Sequence, residues 1–181
     1  MALILMRHTR PVLDSTICYG RLDIPLADTF ESELQDALST LPPFDQIVSS
    51  PLQRAKLLAE RIADSRNVRL HLDERIAEMD FGAWEGVAWS QIPRQELDAW
   101  AADFLDANIH GGESVRMFHR RCSAAAREYA RAAGDTLVVC HAGVVRAVFA
   151  NGNRAEDFSK SIDYGHWLYW SESDKKSRNR R

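Results

Sequence analysis

The chain has 181 residues, of which 45% are hydrophobic and 27% charged, a composition typical of a soluble globular protein with one sizeable core. Its formal net charge of −3 gives no reason to expect a nucleic-acid partner. Three cysteines without C-x-x-C spacing argue against a disulfide framework, and no apolar run is long enough to cross a membrane. Because the apolar start of the chain is too short for a signal peptide, we expect a cytoplasmic protein.

Short apolar runs rich in Val, Ile and Leu alternate with helical patterns along the chain. The apolar runs predict buried strands over 3–6, 46–50, 68–72 and 136–140, with one further edge strand over 166–170. The helical patterns occupy 30–41, 52–65, 113–134 and 144–150. This alternation predicts an α/β sandwich with a mainly parallel central sheet.

Two segments fall outside this alternation. Residues 94–112 are predicted to form a helical cap that would set specificity. Residues 171–181 form a polar, basic tail, which is predicted to be disordered. Since neither a repeat nor a linker divides the chain, we expect residues 1–170 to form one domain.

Basic residues follow three of the predicted strands. Arg7 and His8 close the first strand. Arg54 lies in the first helical turn after the second strand, and His141 follows the fourth. Because the carboxyl ends of parallel strands lie along one edge of a sheet, these four side chains should converge. Arginine forks match phosphate oxygens and a neutral histidine can attack phosphorus, so the pattern predicts a phosphate site.

Each of these residues has an ordinary structural alternative when it is taken alone. A histidine at a strand end is often a hydrogen-bonded structural residue, and an arginine in a first helical turn is often only solvated. The combination favours a site: R-H after the first strand, S-x-P-x-x-R after the second and H-x-G after a later one.

Five motifs of this sequence resemble those of the histidine phosphatase superfamily, also called the phosphoglycerate mutase-like family. In chain order they are RHTRP (7–11), SSPLQRA (49–55), EMDFGAWEG (78–86), GGES (111–114) and VVCHAGVVR (138–146). They occur in the order that the family shows. The resemblance implies a three-layer α/β/α sandwich and metabolite phosphoryl chemistry.

The resemblance also implies a role for each matched residue. His8 resembles the nucleophile that becomes phosphohistidine, and His141 resembles the second histidine, which holds the phosphoryl group. Glu78 resembles the acid that protonates the leaving alkoxide, while Arg7 and Arg54 resemble the phosphate clamp. Such a reaction requires no metal and no cofactor, and the sequence has no convincing metal-ligand spacing.

Two acidic positions leave alternatives open. Glu85 competes with Glu78 for the role of the acid, although its place in the turn AWEG favours a structural role. Glu113 and Ser114 follow two glycines. This pair either caps the long helix or reaches the rim of the pocket.

One loop indicates which phosphate ester is the substrate. The segment CYGRLDIPL (18–26) resembles the corresponding loop of α-ribazole phosphatases, which implies α-ribazole 5′-phosphate, a phosphate monoester of cobalamin biosynthesis, as the substrate. Arg21 would then be a further phosphate or substrate contact, its alternative being a surface arginine in a turn. Trp84, Trp89 and Trp100 either cover the site or belong to the core.

Other functions stay open at this point. The same chemistry on another small metabolite, a phosphoglycerate mutase-like phosphotransferase and a non-catalytic phospho-ligand binding protein are the alternatives. The sequence does not fix the oligomeric state, and a homodimer is one of the options.

Overall fold

The computed structural model describes residues 2–13 and 16–172. Within that part of the chain the strands are β1 (Leu3–Arg7), β2 (Gln46–Ser49), β3 (Leu70–Leu72), β4 (Thr136–Cys140) and β5 (Trp167–Trp170). They form one sheet in the order β3-β2-β4-β1-β5. The first four strands are parallel and β5 pairs with β1 antiparallel, so the predicted mainly parallel sheet is confirmed.

Helices cover both faces of this sheet. They are α1 (Phe30–Thr40), α2 (Gln53–Arg66), α3 (Arg94–Ala102), α4 (Val115–Tyr129) and α5 (Ala142–Phe149). Alternate residues of β1 face opposite sides, as the two-residue period of a strand requires. Ile4 and Met6 pack with residues of α1 and α2, whereas Leu3 and Leu5 pack with residues of α4 and α5. The helices and the sheet therefore form three layers, which confirms the predicted α/β fold.

The ends of two predicted helices differ from the structure. The helix predicted over 113–134 is shorter, because Ser114 is its N-cap and its Oγ accepts a hydrogen bond of 3.3 Å from the Met117 N–H. After Tyr129 the chain turns toward Gly134, whose φ of 84° belongs to the left-handed region. The helix predicted over 144–150 is α5, which begins earlier, at Ala142, so His141 occupies its N-cap position.

The predicted helical cap over 94–112 is helical only in its first part, α3. The backbone leaves the helical region at Asp103, with φ −125° and ψ 59°. Turns follow, and Gly111 adopts a φ of 74° before α4 begins. The Asp, Asn and Gly residues after Ala102 favour such turns over a continued helix.

Two further predictions concern the C-terminal tail and membrane-spanning helices. Most of the predicted disordered tail, residues 173–181, lies outside the described residues. Among the helices of the described residues, none combines the length and the apolar character that a membrane span requires.

Candidate active site

The register of two neighbouring strands brings the two predicted histidines together. Arg7 of β1 lies opposite Cys140 of β4, and each of these residues is followed by a histidine. The His8 N–H donates to the Cys140 carbonyl oxygen at 2.9 Å. As a result, the ring centroids of His8 and His141 lie 5.1 Å apart, with 59° between the ring planes. Both side chains are buried.

Local contacts fix the tautomer of His8. Its Nδ1 lies 2.6 Å from the Thr9 carbonyl oxygen, which can only accept, so Nδ1 carries the proton. In the neutral ring, Nε2 then has a free lone pair. Burial, and after it the positive charge of Arg54, holds the pKa of His8 well below its usual range. His8 is therefore neutral near pH 7, as a nucleophile must be.

His141 lies in the same electrostatic surroundings. Its Nε2 is 2.8 Å from the Ser50 Oγ, and within the described residues its Nδ1 has no hydrogen-bond partner. Burial, then the charge of Arg54, lowers the pKa of His141 well below its usual range. His141 therefore has, next to His8, a buried Nδ1 for which the described residues supply no hydrogen-bond partner.

Arg54 is fully buried in the first turns of α2 and faces the loop 18–26. Its Nη1 donates to the Leu22 carbonyl oxygen at 2.8 Å and its Nη2 to that of Gly20 at 2.5 Å. Its Nε has no partner among the described residues. Burial lowers the pKa of Arg54, and the negative charge of Glu78 opposes this effect. A buried cation with an unused donor suits the binding of an anion.

Arg7 is held from the other side by the segment that precedes β5. Its Nη1 donates to the Ile162 carbonyl oxygen at 2.9 Å, and its guanidinium carbon lies 3.5 Å from the ring centroid of Tyr164. The hydroxyl of Tyr164 lies 2.9 Å from that of Tyr19, whose ring is 5.4 Å from the guanidinium carbon of Arg54. The rings of Tyr164 and Tyr19 thus face Arg7 and Arg54, and a hydrogen bond joins their hydroxyl groups.

Glu78 lies against the first turn of α5, the helix that follows His141. Its Oε2 accepts the Gly143 N–H at 3.0 Å and its Oε1 accepts the Met79 N–H at 2.9 Å. A Cβ at position 143 would approach Oε1 to 2.1 Å, so this contact requires glycine. The carboxyl group lines the same cavity as His8 and Arg7.

An arginine of α4 holds the backbone before Glu78 in place. Arg121 donates to the carbonyl oxygens of Arg75, Ala77 and Glu78 at 2.7 to 3.0 Å. It also forms a paired contact with both carboxylate oxygens of Glu113, at 2.7 and 2.8 Å. Glu113 therefore belongs to this support, and Ser114 caps α4. No sequence pattern distinguishes Arg121 from its neighbour Arg120.

Glu85 has a structural part. It accepts hydrogen bonds from the N–H groups of Phe81 at 3.0 Å, of Arg21 at 2.8 Å and of Leu22. The loop at Gly20–Leu22 is thus held through its N–H groups by Glu85 and through its carbonyl oxygens by Arg54. Glu85 is absent from the described lining of the cavity, whereas Glu78 belongs to it.

The structure does not bring the side chain of Arg21 to the other site residues. Its guanidinium lies 3.8 Å from the Glu74 carboxylate, with 39% of the side chain exposed. It is absent from the described lining of the cavity. A substrate contact by Arg21 would require another side-chain conformation, and it stays a prediction.

The site opens into a cavity of about 350 Å³. Besides Tyr19 and Tyr164, six phenylalanine and tryptophan residues form much of its lining, and we call them the aromatic wall: Phe81, Trp89, Trp100, Phe104, Phe118 and Phe158. Their rings pack edge to face, as between Trp100 and Phe104 at 5.7 Å. Trp84, by contrast, is buried in the core and donates its indole N–H to Glu96 at 2.7 Å.

No group of three or more His, Cys, Asp or Glu side chains within the described residues is placed to hold a metal ion. The arrangement instead offers a neutral histidine, an arginine and a carboxyl group on one cavity. His141 lies beside His8, and the charge of Arg54 acts on both histidines. This set can transfer a phosphoryl group to a protein nitrogen and protonate a leaving oxygen.

Comparison with known proteins agrees with this geometry. The family model of the histidine phosphatase superfamily (branch 1) matches residues 3–161, and the chain belongs to that superfamily. Phosphoserine phosphatase 1 of Hydrogenobacter thermophilus is 27% identical over 90% of this chain and 81% of its own length. The adenosylcobalamin/alpha-ribazole phosphatase of Salmonella typhimurium is 27% identical over 83% of this chain and 78% of its own.

Solved structures show the same likeness. The alpha-ribazole phosphatase of Shigella flexneri superposes with a TM-score of 0.80 at 25% identity, covering 93% of this chain and 89% of the other. The protein is thus a phosphatase of the histidine phosphatase family.

Proposed function

We propose that this protein is a metal-independent phosphomonoesterase that acts through a phosphohistidine intermediate. The observation that carries the proposal is the pair of buried histidines, 5.1 Å apart, between Arg7 and Arg54. Burial keeps both rings neutral, while the two guanidinium groups supply the fixed positive charge that a phosphoryl group requires.

The reaction has two steps. In the first, His8 Nε2 attacks phosphorus and the ester P–O bond breaks, while the Glu78 carboxyl group gives its proton to the leaving alkoxide. In the second, Glu78 takes a proton from water as the water oxygen attacks phosphorus, and the P–N bond breaks to release phosphate and neutral His8. His141, Arg7 and Arg54 donate to the oxygens of the transferred group.

We propose α-ribazole 5′-phosphate as the ester. The aromatic wall supports this choice, because flat rings pack well against an aromatic base. The likeness of the loop 18–26 to that of α-ribazole phosphatases, and the two relatives of that name, support it as well. A ribosyl ester would place its phosphate at His8 and its base against the wall.

Other small esters are the alternative. Phosphoserine is one candidate, because the relative from Hydrogenobacter thermophilus is named a phosphoserine phosphatase. A mutase activity is another, and it would need a bisphosphorylated primer. These substrates are small and charged, so the aromatic wall would contribute little to their binding.

The test is phosphate release in the presence of a chelator. We would compare kcat/KM for α-ribazole 5′-phosphate, phosphoserine, 3-phosphoglycerate and phenyl phosphate. A large preference for the ribosyl ester is expected. Weak and similar turnover of all four would contradict the choice of ester and retain the chemistry.

The nucleophile is tested by His8→Ala, which should lower kcat by about 10⁴-fold or more for every ester, because it removes the attacking atom. The matched control is His71→Ala, at an exposed position of β3. In wild-type protein quenched during turnover of ³²P-labelled ester, acid-labile and base-stable label is expected on His8. Full activity of the His8 variant would refute the mechanism.

A further inference from the structure

One arginine of the cavity lining has no part in the chemistry described above. Arg7 and Arg146 are the two arginines of the described lining. Arg7 is engaged by the Ile162 carbonyl oxygen and the Tyr164 ring. The side chain of Arg146 forms no hydrogen bond or ion pair with any described residue, and the residue is exposed.

The position of Arg146 on α5 relates it to the proton donor. Gly143, whose N–H contacts Glu78, lies three residues earlier, which corresponds to roughly 4.5 Å along a helix axis. Residues three apart share a helix face, and Ala142, Gly143 and Arg146 all line the cavity. On α5, Arg146 therefore lies one turn further from the helix start than Gly143, the residue that contacts Glu78.

Most of the lining that Arg146 shares is apolar. It consists largely of the aromatic wall and of small residues such as Ala155. Glu78, the acidic residue of the described lining, uses both its oxygens for backbone N–H groups. A guanidinium group beside an apolar wall lacks an internal acceptor, and a bound molecule can supply one.

We propose that Arg146 determines specificity by donating hydrogen bonds to an acceptor group on the leaving alcohol. This inference rests on the proposed phosphatase function and adds a requirement on the ester, namely an oxygen or nitrogen acceptor beyond the phosphate. In a ribosyl ester the acceptor would be a sugar hydroxyl or a ring nitrogen. In a hydroxy-acid ester it would be the carboxylate.

The test compares the losses that Arg146→Met causes for different esters. Phenyl phosphate is the reference, because its alcohol has no acceptor beyond the ester oxygen. For an ester whose acceptor Arg146 binds, kcat/KM should fall at least tenfold more than for phenyl phosphate, the size expected for a lost charge-assisted hydrogen bond. Arg146→Lys, which keeps the charge, should restore part of this difference.

The choice of esters separates the two kinds of acceptor. Phosphoserine and phosphoethanolamine differ by the carboxylate alone, so a selective loss with phosphoserine identifies an anionic acceptor. A selective loss with α-ribazole 5′-phosphate identifies a neutral one. Arg120→Met, an exposed arginine of α4 outside the cavity lining, controls for the change in net charge.

Equal losses for all esters, phenyl phosphate included, would overturn the inference. Failure of the proposed function would look different: wild-type protein would then hydrolyse none of the esters in a manner that depends on His8.

Discussion

The two ends of the cavity are built in different ways. His8, Arg7 and Glu78 line the phosphate end, and the buried His141 and Arg54 adjoin His8. The sheet edge and backbone hydrogen bonds hold these side chains. The alcohol end consists of the aromatic wall and Arg146. Its residues are spread over several elements between Phe81 and Phe158, and Arg146 is exposed.

This difference separates chemistry from specificity. A phosphate end fixed by strand ends can be shared by proteins with many substrates, since every monoester presents the same phosphoryl group. The alcohol end depends on turns and helix faces that surround the sheet, and such segments tolerate change. Changes at the phosphate end should therefore affect all esters alike, and changes at the alcohol end should depend on the ester.

After the loss of the nucleophile in His8→Ala, the largest effect is expected from Arg54→Lys at the phosphate end. Lysine keeps the charge but cannot hold both carbonyl oxygens of Gly20 and Leu22 while facing the phosphate. We expect kcat/KM to fall by about a hundredfold, as for loss of one preorganised donor. The fall should be similar for all esters in the panel.

The matched control for this variant is Arg61→Lys. Arg61 lies on the same helix, is exposed and forms its ion pair with Glu31 on the surface. Its replacement should change kcat/KM little. A loss in Arg54→Lys that differed tenfold between esters would break the separation of the two ends.

A smaller, ester-dependent effect is expected from Trp100→Leu at the alcohol end. Trp100 lines the cavity and packs edge to face on Trp84 at 6.0 Å and on Phe104 at 5.7 Å. With ring-bearing esters kcat/KM should fall about three- to tenfold, because an aromatic contact contributes roughly 0.5–1.5 kcal/mol. Phosphoethanolamine turnover should change less.

Trp167→Leu serves as the control for removing an indole. Trp167 lies on β5 and is absent from the described lining. If Trp100→Leu lowered kcat/KM equally for phosphoethanolamine and the ring-bearing esters, the aromatic wall would have no part in specificity.

The phosphate end could be predicted from the sequence because it depends on local order. Strand ends, the short spacing of Arg7 and His8, and the helix start before Arg54 each follow from patterns of a few residues. The parallel sheet then places them together. The role of Glu85 in holding the loop Gly20–Leu22 agrees with the structural part that its turn suggested.

The alcohol end could not be predicted in this way. Phe81, Phe118 and Phe158 are far apart in sequence, and their meeting depends on how α4 and the last turns pack on the sheet. The sequence predicts a helical cap over 94–112, but its turn-forming residues end α3 at Ala102. Arg21 was expected at the substrate because of its loop, yet its side chain extends toward Glu74.

A further expected effect is on stability, and it again concerns the phosphate end. Burial lowers the pKa of His8 and His141 in the folded protein below the 6.5 that is usual for histidine. Between the lowered values and about 6.5 the unfolded chain binds more protons than the folded one, so acidification favours unfolding. The free energy of unfolding should decrease below pH 6.5 by up to about 1.4 kcal/mol per pH unit for each such histidine, and the loss should cease once the native histidines are protonated.

Urea unfolding of wild type, His8→Asn and His141→Asn between pH 7.5 and 5 would measure this slope, which each replacement should reduce. Parallel curves for the three proteins would show that the histidines are not kept neutral by the fold, and the nucleophile would then lack the protonation state on which the proposed reaction depends.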